Sequence, residues 1–134
     1  MLEETRILIA CDRDVVNARQ QGRALALQAG FSVSGAMLIA TAISELARNI
    51  ISYAHEGSVT LKPIHGLNGS GGLTIVAADS GPGIIDLKQA LRDGYSSSGG
   101  LGLGLPGVRR LMDEFEIVSR TGVGTTVTVT KWRA

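Results

Sequence analysis

Leu73-Thr-Ile-Val-Ala-Ala-Asp79-Ser-Gly-Pro-Gly83 places Leu73, Ile75 and Ala77 at alternate positions and then breaks on a carboxylate, two glycines and a proline. The alternation predicts a strand from Leu73 to Asp79 with those three side chains on one buried face. The run after it predicts a sharp turn. Such a turn is ordinary at a strand end. Its other use is a carboxylate fixed at a sheet edge beside residues without side chains, where a flat ring can approach the backbone. An ionised Asp79 only accepts hydrogen bonds, so it would read a donor such as an exocyclic amino group.

Working outward, Thr5 to Ala10 reads as a short apolar strand, and Asp12 as the N-cap of a helix that runs to about Ala29 and stops at Gly30. Ser34 is placed to cap a second helix from Gly35 to about Ala54. Val59 to Ile64 reads as a strand, joined to Leu73–Asp79 through a polar turn at Gly66–Gly72. Beyond the central loop, Leu105 to Asp113 is helical with Pro106 in the first turn. Phe115–Ser119 and Thr125–Lys131 form a hairpin across Thr-Gly-Val-Gly. Two helices, a strand pair, a helix and a second strand pair predict an α+β two-layer sandwich. Its mixed, mostly antiparallel sheet is covered on one face by helices, and residues 1–134 form a single domain.

Composition removes several function classes. Thirteen Lys and Arg against twelve Asp and Glu give a net charge of +1, without the basic footprint of a nucleic-acid binder. Phe31, Phe115, Tyr53, Tyr95 and Trp132 are too few to form a base-stacking platform. Cys11 is the one cysteine, which excludes an intrachain disulfide or a multi-cysteine zinc site, and it reads as a buried, inert thiol. The 21 residues from Ala24 to Ser44 carry no charge. Gln28, Gly30, Ser32, Ser34 and Gly35 break that stretch into a turn between two core helices rather than a membrane span. Met-Leu-Glu-Glu is no signal peptide, and the cytoplasm is the expected location.

Eighteen of the 134 residues are glycine, about twice the usual ~7%. Six fall between Gly66 and Gly83 and six between Gly94 and Gly107, interleaved with Leu, Ile and Val, as in shaped loops rather than linkers. Three further segments carry potential chemistry. Glu45 and Asn49 stand four residues apart, on one face of the second helix. A carboxylate beside an amide oxygen suits a proton acceptor next to a hard cation, although a polar stripe on an amphipathic helix has the same spacing. Gly94-Tyr-Ser-Ser-Ser-Gly-Gly-Leu-Gly-Leu-Gly-Leu-Pro-Gly107 lets successive N–H groups converge on an anion at the start of a helix, or is simply a surface loop. Its Gly102-Leu-Gly104-Leu-Pro-Gly107 matches G-x-G-x-x-G but follows Ser and Gly instead of a strand, so it is not a dinucleotide fingerprint. Gly122-Val-Gly-Thr125 is a hairpin turn, of functional interest only if Thr125 lies beside Asp79 on a neighbouring strand.

The four segments in this order resemble the GHKL ATPase/kinase superfamily of gyrase, Hsp90, histidine kinases and MutL, whose ATP-binding domain is the Bergerat fold. Thr41-Ala-Ile-Ser-Glu-Leu-Ala-Arg-Asn-Ile50, Asp79-Ser-Gly-Pro-Gly-Ile84, Gly99–Phe115 and the ending Gly124-Thr…Lys131-Trp-Arg133 are similar to one branch, the RsbT-type serine/threonine kinases and switch proteins of bacterial stressosomes. The resemblance implies an ATP- and Mg²⁺-dependent kinase. Asn49 would ligate Mg²⁺, and Glu45 would take the proton from the acceptor hydroxyl. Asp79 would hold the adenine amino group, with Thr125 assisting through a water. Gly81 and Gly83 would line the adenine pocket, and Gly100, Gly102 and Gly104 would form a lid over the phosphates. The implied acceptors are STAS-domain scaffold and antagonist proteins, and the released kinase would activate a phosphatase or another output enzyme.

Some relatives place a lysine on the γ-phosphate from a second domain. Here Lys62, Lys88 and Lys131 all lie outside the glycine loop, and Arg48, Arg92 and Arg109 are unranked substitutes. A histidine-kinase fragment would need an acceptor histidine on a dimerisation helix, whereas His55 and His65 read as surface or internally satisfied histidines. An anti-sigma-factor-type kinase, or an ATP-gated binding module without catalytic output, is the alternative function. Arg13, Arg19 and Arg23 share part of one face of the first helix and suit either an acidic partner or plain solvation.

Overall fold

The structure, a computed structural model, describes residues 4–67, 69–84 and 104–133. Among them the chain runs β1 (Thr5–Ile9), α1 (Asp12–Gln28), α2 (Val33–Ala54), β2 (Gly57–His65), β3 (Gly71–Asp79), α3 (Gly104–Leu111), β4 (Glu114–Arg120) and β5 (Gly124–Trp132). The five strands form one sheet in the order β1-β2-β3-β5-β4. All four pairings are antiparallel. The helices pack on one face, with α2 in the middle against α1, α3 and the sheet. This is the two-layer α+β sandwich expected from the element order.

Alternation decides which face is buried. Leu73, Ile75 and Ala77 of β3, Val59 and Leu61 of β2, and Val127 and Val129 of β5 turn toward the helices and are buried. Ile39, Ile43, Leu46 and Ile50 of α2 meet them from above. Each of the Val, Leu and Ile side chains contributes roughly 1.5–3 kcal/mol by leaving water. Because neighbours surround α2 on several sides, burial runs almost without interruption from Ile39 to Ala47. That explains the long uncharged stretch: α1 ends at Gln28, α2 begins at Val33, and no described helix is long and apolar enough to cross a membrane.

The helix ends depart from the sequence expectations in detail. The N-cap of α1 is Cys11, not Asp12. The Asp14 carboxylate reaches back to accept the N–H groups of Ala10 at 2.8 Å and Cys11 at 3.2 Å. These charge-assisted bonds hold the Asp14 carboxyl below its usual range, the Ala10 amide being the largest cause. Cys11 is exposed rather than buried, because the chain leaves the sheet immediately after the buried Ile9. At the other end, Phe31 N–H donates to the Ala26 carbonyl and Gly30 N–H to that of Leu27, with Gly30 at φ +95. This is a Schellman stop that requires the glycine. Ser32 rather than Ser34 caps α2, its Oγ accepting the Gly35 N–H at 3.0 Å.

Candidate functional site

Strand register assembles the first half of the site. Asp79, the last residue of β3, pairs with Thr125 of β5, and Thr125 pairs with Ser119 of β4. Directly opposed residues share a face of a sheet. These three follow the parity of Ala77, Val127 and Ile117, so the polar row continues the helix-facing side past the end of the core. Asp79 Oδ1 accepts the Gly81 N–H at 2.9 Å and the Thr125 N–H at 3.3 Å. The condition attached to Thr125 in the sequence, adjacency to Asp79, is met.

The loop after β3 is stitched to the β4–β5 hairpin. Gly122 N–H donates to the Pro82 carbonyl at 2.7 Å, and Ile84 N–H to Ser119 Oγ at 2.7 Å. Gly83 adopts φ +80, and a Cβ there would stand 2.4 Å from the Arg120 carbonyl oxygen. A Cβ on Gly81 would stand 2.5 Å from the Ala54 Cβ in the last turn of α2. Both glycines are thus required by the protein's own packing around the turn, independently of any ring they would line.

The second half comes from α2. Glu45 is 1% exposed, one of the most deeply buried side chains among the described residues. Asn49, one turn further on, is half-buried, and its Oδ1 is buried without a hydrogen-bond partner among the described residues. Leaving such an acceptor unpaired costs about 1–3 kcal/mol. A hydrogen-bond donor or an oxygen-seeking cation would satisfy it. Magnesium ions keep several waters and take one or two protein oxygens plus phosphates, so they need no cage of protein carboxylates. Among the described residues no group of three or more His, Cys, Asp and Glu forms such a cage.

The two halves meet where β3 passes beneath the end of α2. A Cβ on Gly57 would touch both Ile50 Cγ2, at 2.9 Å, and Asp79 Cβ, at 3.1 Å. Asn49 is the residue before Ile50, and Gly81 lies under Ala54, so Asn49 and the Asp79 turn belong to the same end of the α2–sheet layer. The arrangement provides an acceptor at the sheet edge, an unsatisfied amide oxygen on the helix, and a buried carboxylate one turn behind it.

Gly104 opens α3, buried and at φ +55. Gly100 and Gly102, together with Lys88 and Arg92, lie outside the described residues. Lys131 donates from Nζ to the Leu111 carbonyl at 2.9 Å and so caps α3. Arg48 is half-buried beside Asn49, His55 and His65 are exposed, and Arg13, Arg19 and Arg23 are exposed along α1. Ser119 was not singled out in the sequence. Its signal was available: counting back from Thr125 across the hairpin pairs the two residues.

The chain matches the family model of the histidine kinase-like ATPase domain over residues 9–131. It is 47% identical over 132 residues to the serine/threonine-protein kinase RsbT of Bacillus subtilis, covering 98% of each chain. It is 31% identical over 97 residues to an anti-sigma F factor of a Thermoanaerobacter species, covering 70% of this chain and 68% of that one. Among solved structures, the RsbU and RsbW domains of a Mycobacterium tuberculosis protein superpose with a TM-score of 0.64 at 20% identity, spanning 99% of this chain and 34% of that one.

Proposed function

The chain belongs to the histidine kinase-like ATPase domain family and, within it, to the RsbT-type serine/threonine-protein kinases; from that premise we propose that it transfers the γ-phosphoryl group of ATP to a serine or threonine of STAS-domain scaffold and antagonist proteins in a cytoplasmic stressosome. The reading is supported by the pairing of Asp79 with Thr125 at the end of β3, close to Ile50 of α2, the helix that also carries the buried Asn49 Oδ1 and the buried Glu45.

In this reading Asp79 receives the adenine amino group through Oδ2, because Oδ1 is already committed to the Gly81 and Thr125 amides. Thr125 reaches the ring through a water. Gly81 and Gly83 keep the turn thin enough to lie against the purine. Asn49 Oδ1 would hold Mg²⁺, which when bound neutralises charge at the phosphates. Glu45 takes the proton from the acceptor hydroxyl as its oxygen bonds to the γ-phosphorus and the bond to the β–γ bridging oxygen breaks, releasing ADP. Phosphoryl transfer needs little more from a protein than positioning and charge neutralisation. Lys131 is engaged at the end of α3 and is not the cation that faces the γ-phosphate.

The similarity to both a kinase and anti-sigma factors supports a partner switch, in which phosphorylation of one partner frees the kinase to bind and activate a downstream phosphatase or other output enzyme. The test is to supply ATP and Mg²⁺ together with STAS-domain proteins encoded beside this one and to map phosphate by mass spectrometry. Phosphoserine or phosphothreonine on a STAS domain is expected. Nucleotide binding without transfer to any of them would leave an ATP-gated binding module and overturn the kinase assignment.

A further inference from the structure

We propose that Ser119 is a positioning residue of the nucleotide site, one that sets the hydrogen-bonding polarity of Thr125 and thereby the preference for adenine over guanine. The inference rests on reading the Asp79 cleft as a purine site. Ser119 is the third member of the row Asp79–Thr125–Ser119 across β3, β5 and β4. A serine hydroxyl has one proton to give and two lone pairs to receive with. Ser119 Oγ accepts the Ile84 N–H at 2.7 Å, lies 2.8 Å from Thr125 Oγ1, and lies 3.4 Å from the Gly124 carbonyl oxygen.

Either hydroxyl can donate across the 2.8 Å contact, but if Thr125 donated, the Ser119 proton would be left with only the Gly124 carbonyl at 3.4 Å. O–H···O bonds cluster near 2.7–2.8 Å and are weak well beyond ~3.0 Å. In the proposed arrangement the Ser119 proton goes to Thr125 Oγ1, the short contact, which leaves the Thr125 proton free to point into the cleft. The site then presents an acceptor, Asp79 Oδ2, beside a donor, the Thr125 hydroxyl. An adenine edge offers the complement, an amino donor beside the N1 acceptor. A guanine edge offers the reverse, the O6 acceptor beside the N1–H donor. A water between Thr125 and the ring preserves the polarity, since it accepts from Thr125 and donates to N1. Without Ser119 nothing on β4 orients the Thr125 hydroxyl, and its proton is free to turn either way.

Calorimetric titration of the full chain with ADP and with GDP tests this on wild type, Ser119→Ala, Ser119→Thr and Thr125→Val. Ser119→Ala is expected to lose roughly five- to tenfold in ADP affinity, the size of one net hydrogen bond, with GDP little changed. The ADP-to-GDP preference falls by the same factor, and Ser119→Thr restores it. Thr125→Val, which leaves the Ser119–Ile84 bond in place, loses the preference equally and serves if Ser119→Ala is too unstable to titrate. A purely structural Ser119 would weaken both nucleotides alike, and that result, or an unaltered preference, overturns the proposal. Failure of wild type to bind ADP, or an Asp79→Asn variant that binds it normally, overturns the purine-site reading itself.

Discussion

Asp79 and Thr125 stand directly opposite each other on β3 and β5, and the Asp79 carboxylate accepts the Thr125 backbone N–H at 3.3 Å through Oδ1. The same oxygen takes the Gly81 N–H. One carboxylate oxygen thus holds the turn and the adjacent strand together, and in the proposed function the other receives the ligand.

This division of labour predicts the behaviour of Asp79→Asn. The amide keeps an oxygen for Gly81 and Thr125 but places an NH₂ where the second oxygen stood. The fold is retained, and affinity for ADP falls about 5- to 150-fold, the range of ~1–3 kcal/mol for a lost charged bond and an unpaired donor. Calorimetry checks the affinity, and a thermal melt checks the fold.

Asn49→Ala separates function from stability in the opposite sense to most core substitutions. The unpartnered Oδ1 contributes no hydrogen bond to the described fold, so its removal relieves a buried unpaired acceptor while shortening a half-buried side chain. The expected outcome is a Tm within a few degrees of wild type and loss of Mg²⁺-dependent phosphoryl transfer. Differential scanning calorimetry and a radiolabelled-ATP assay read the two quantities.

Gly124→Ala attacks the same row through the backbone. Gly124 adopts φ +142, and a Cβ there would stand 2.1 Å from the Asp79 carbonyl oxygen. Backbone strain of this kind costs about 1–3 kcal/mol before the clash is counted. The variant is expected to lower the denaturant midpoint at unchanged m-value and to weaken ADP binding with it, because Asp79 and Thr125 move apart.

Asp14 supplies a pH signature of its own. Its folded pKa lies below the ordinary 3.8 because the ionised form accepts the Ala10 and Cys11 amides. The stabilisation is fully present above 3.8 and is lost as pH falls through the lower folded value. Thermal melts of wild type and Asp14→Ala should therefore differ by a constant amount near neutrality and converge in strong acid.

The features legible in the sequence were those that depend on local pattern. Leu73, Ile75 and Ala77 alternate, and β3 followed. Gly30 sits where a left-handed stop is needed, and α1 ended there. What failed depended on choices between equivalent neighbours. Ser32 and Ser34 both precede the apolar run of α2, and only the chain's entry angle selects Ser32. Asp14 can cap from inside the helix, so Asp12 was not needed at the N-cap. The exposure of Cys11 follows from where β1 ends, which composition does not reveal. In the site, Glu45 and Asn49 were marked by helical spacing, and Asp79 and Thr125 by their turns and by the family resemblance, whereas Ser119 enters only when the β4–β5 hairpin register is counted out. Lys131 lies outside the glycine loop in the sequence, and the position of α3 gives it its partner, the Leu111 carbonyl.

The most direct measurement pairs nucleotide binding with phosphoryl transfer in Glu45→Gln. With wild type, ATP, Mg²⁺ and a STAS-domain acceptor, intact-mass spectrometry is expected to show one phosphoryl group added to the acceptor. Glu45→Gln is expected to bind ADP as wild type does and to transfer at least about 100-fold more slowly, the scale of a lost general base. Transfer by the variant at the wild-type rate would contradict the account, because the buried carboxylate of α2 would then have no part in the chemistry.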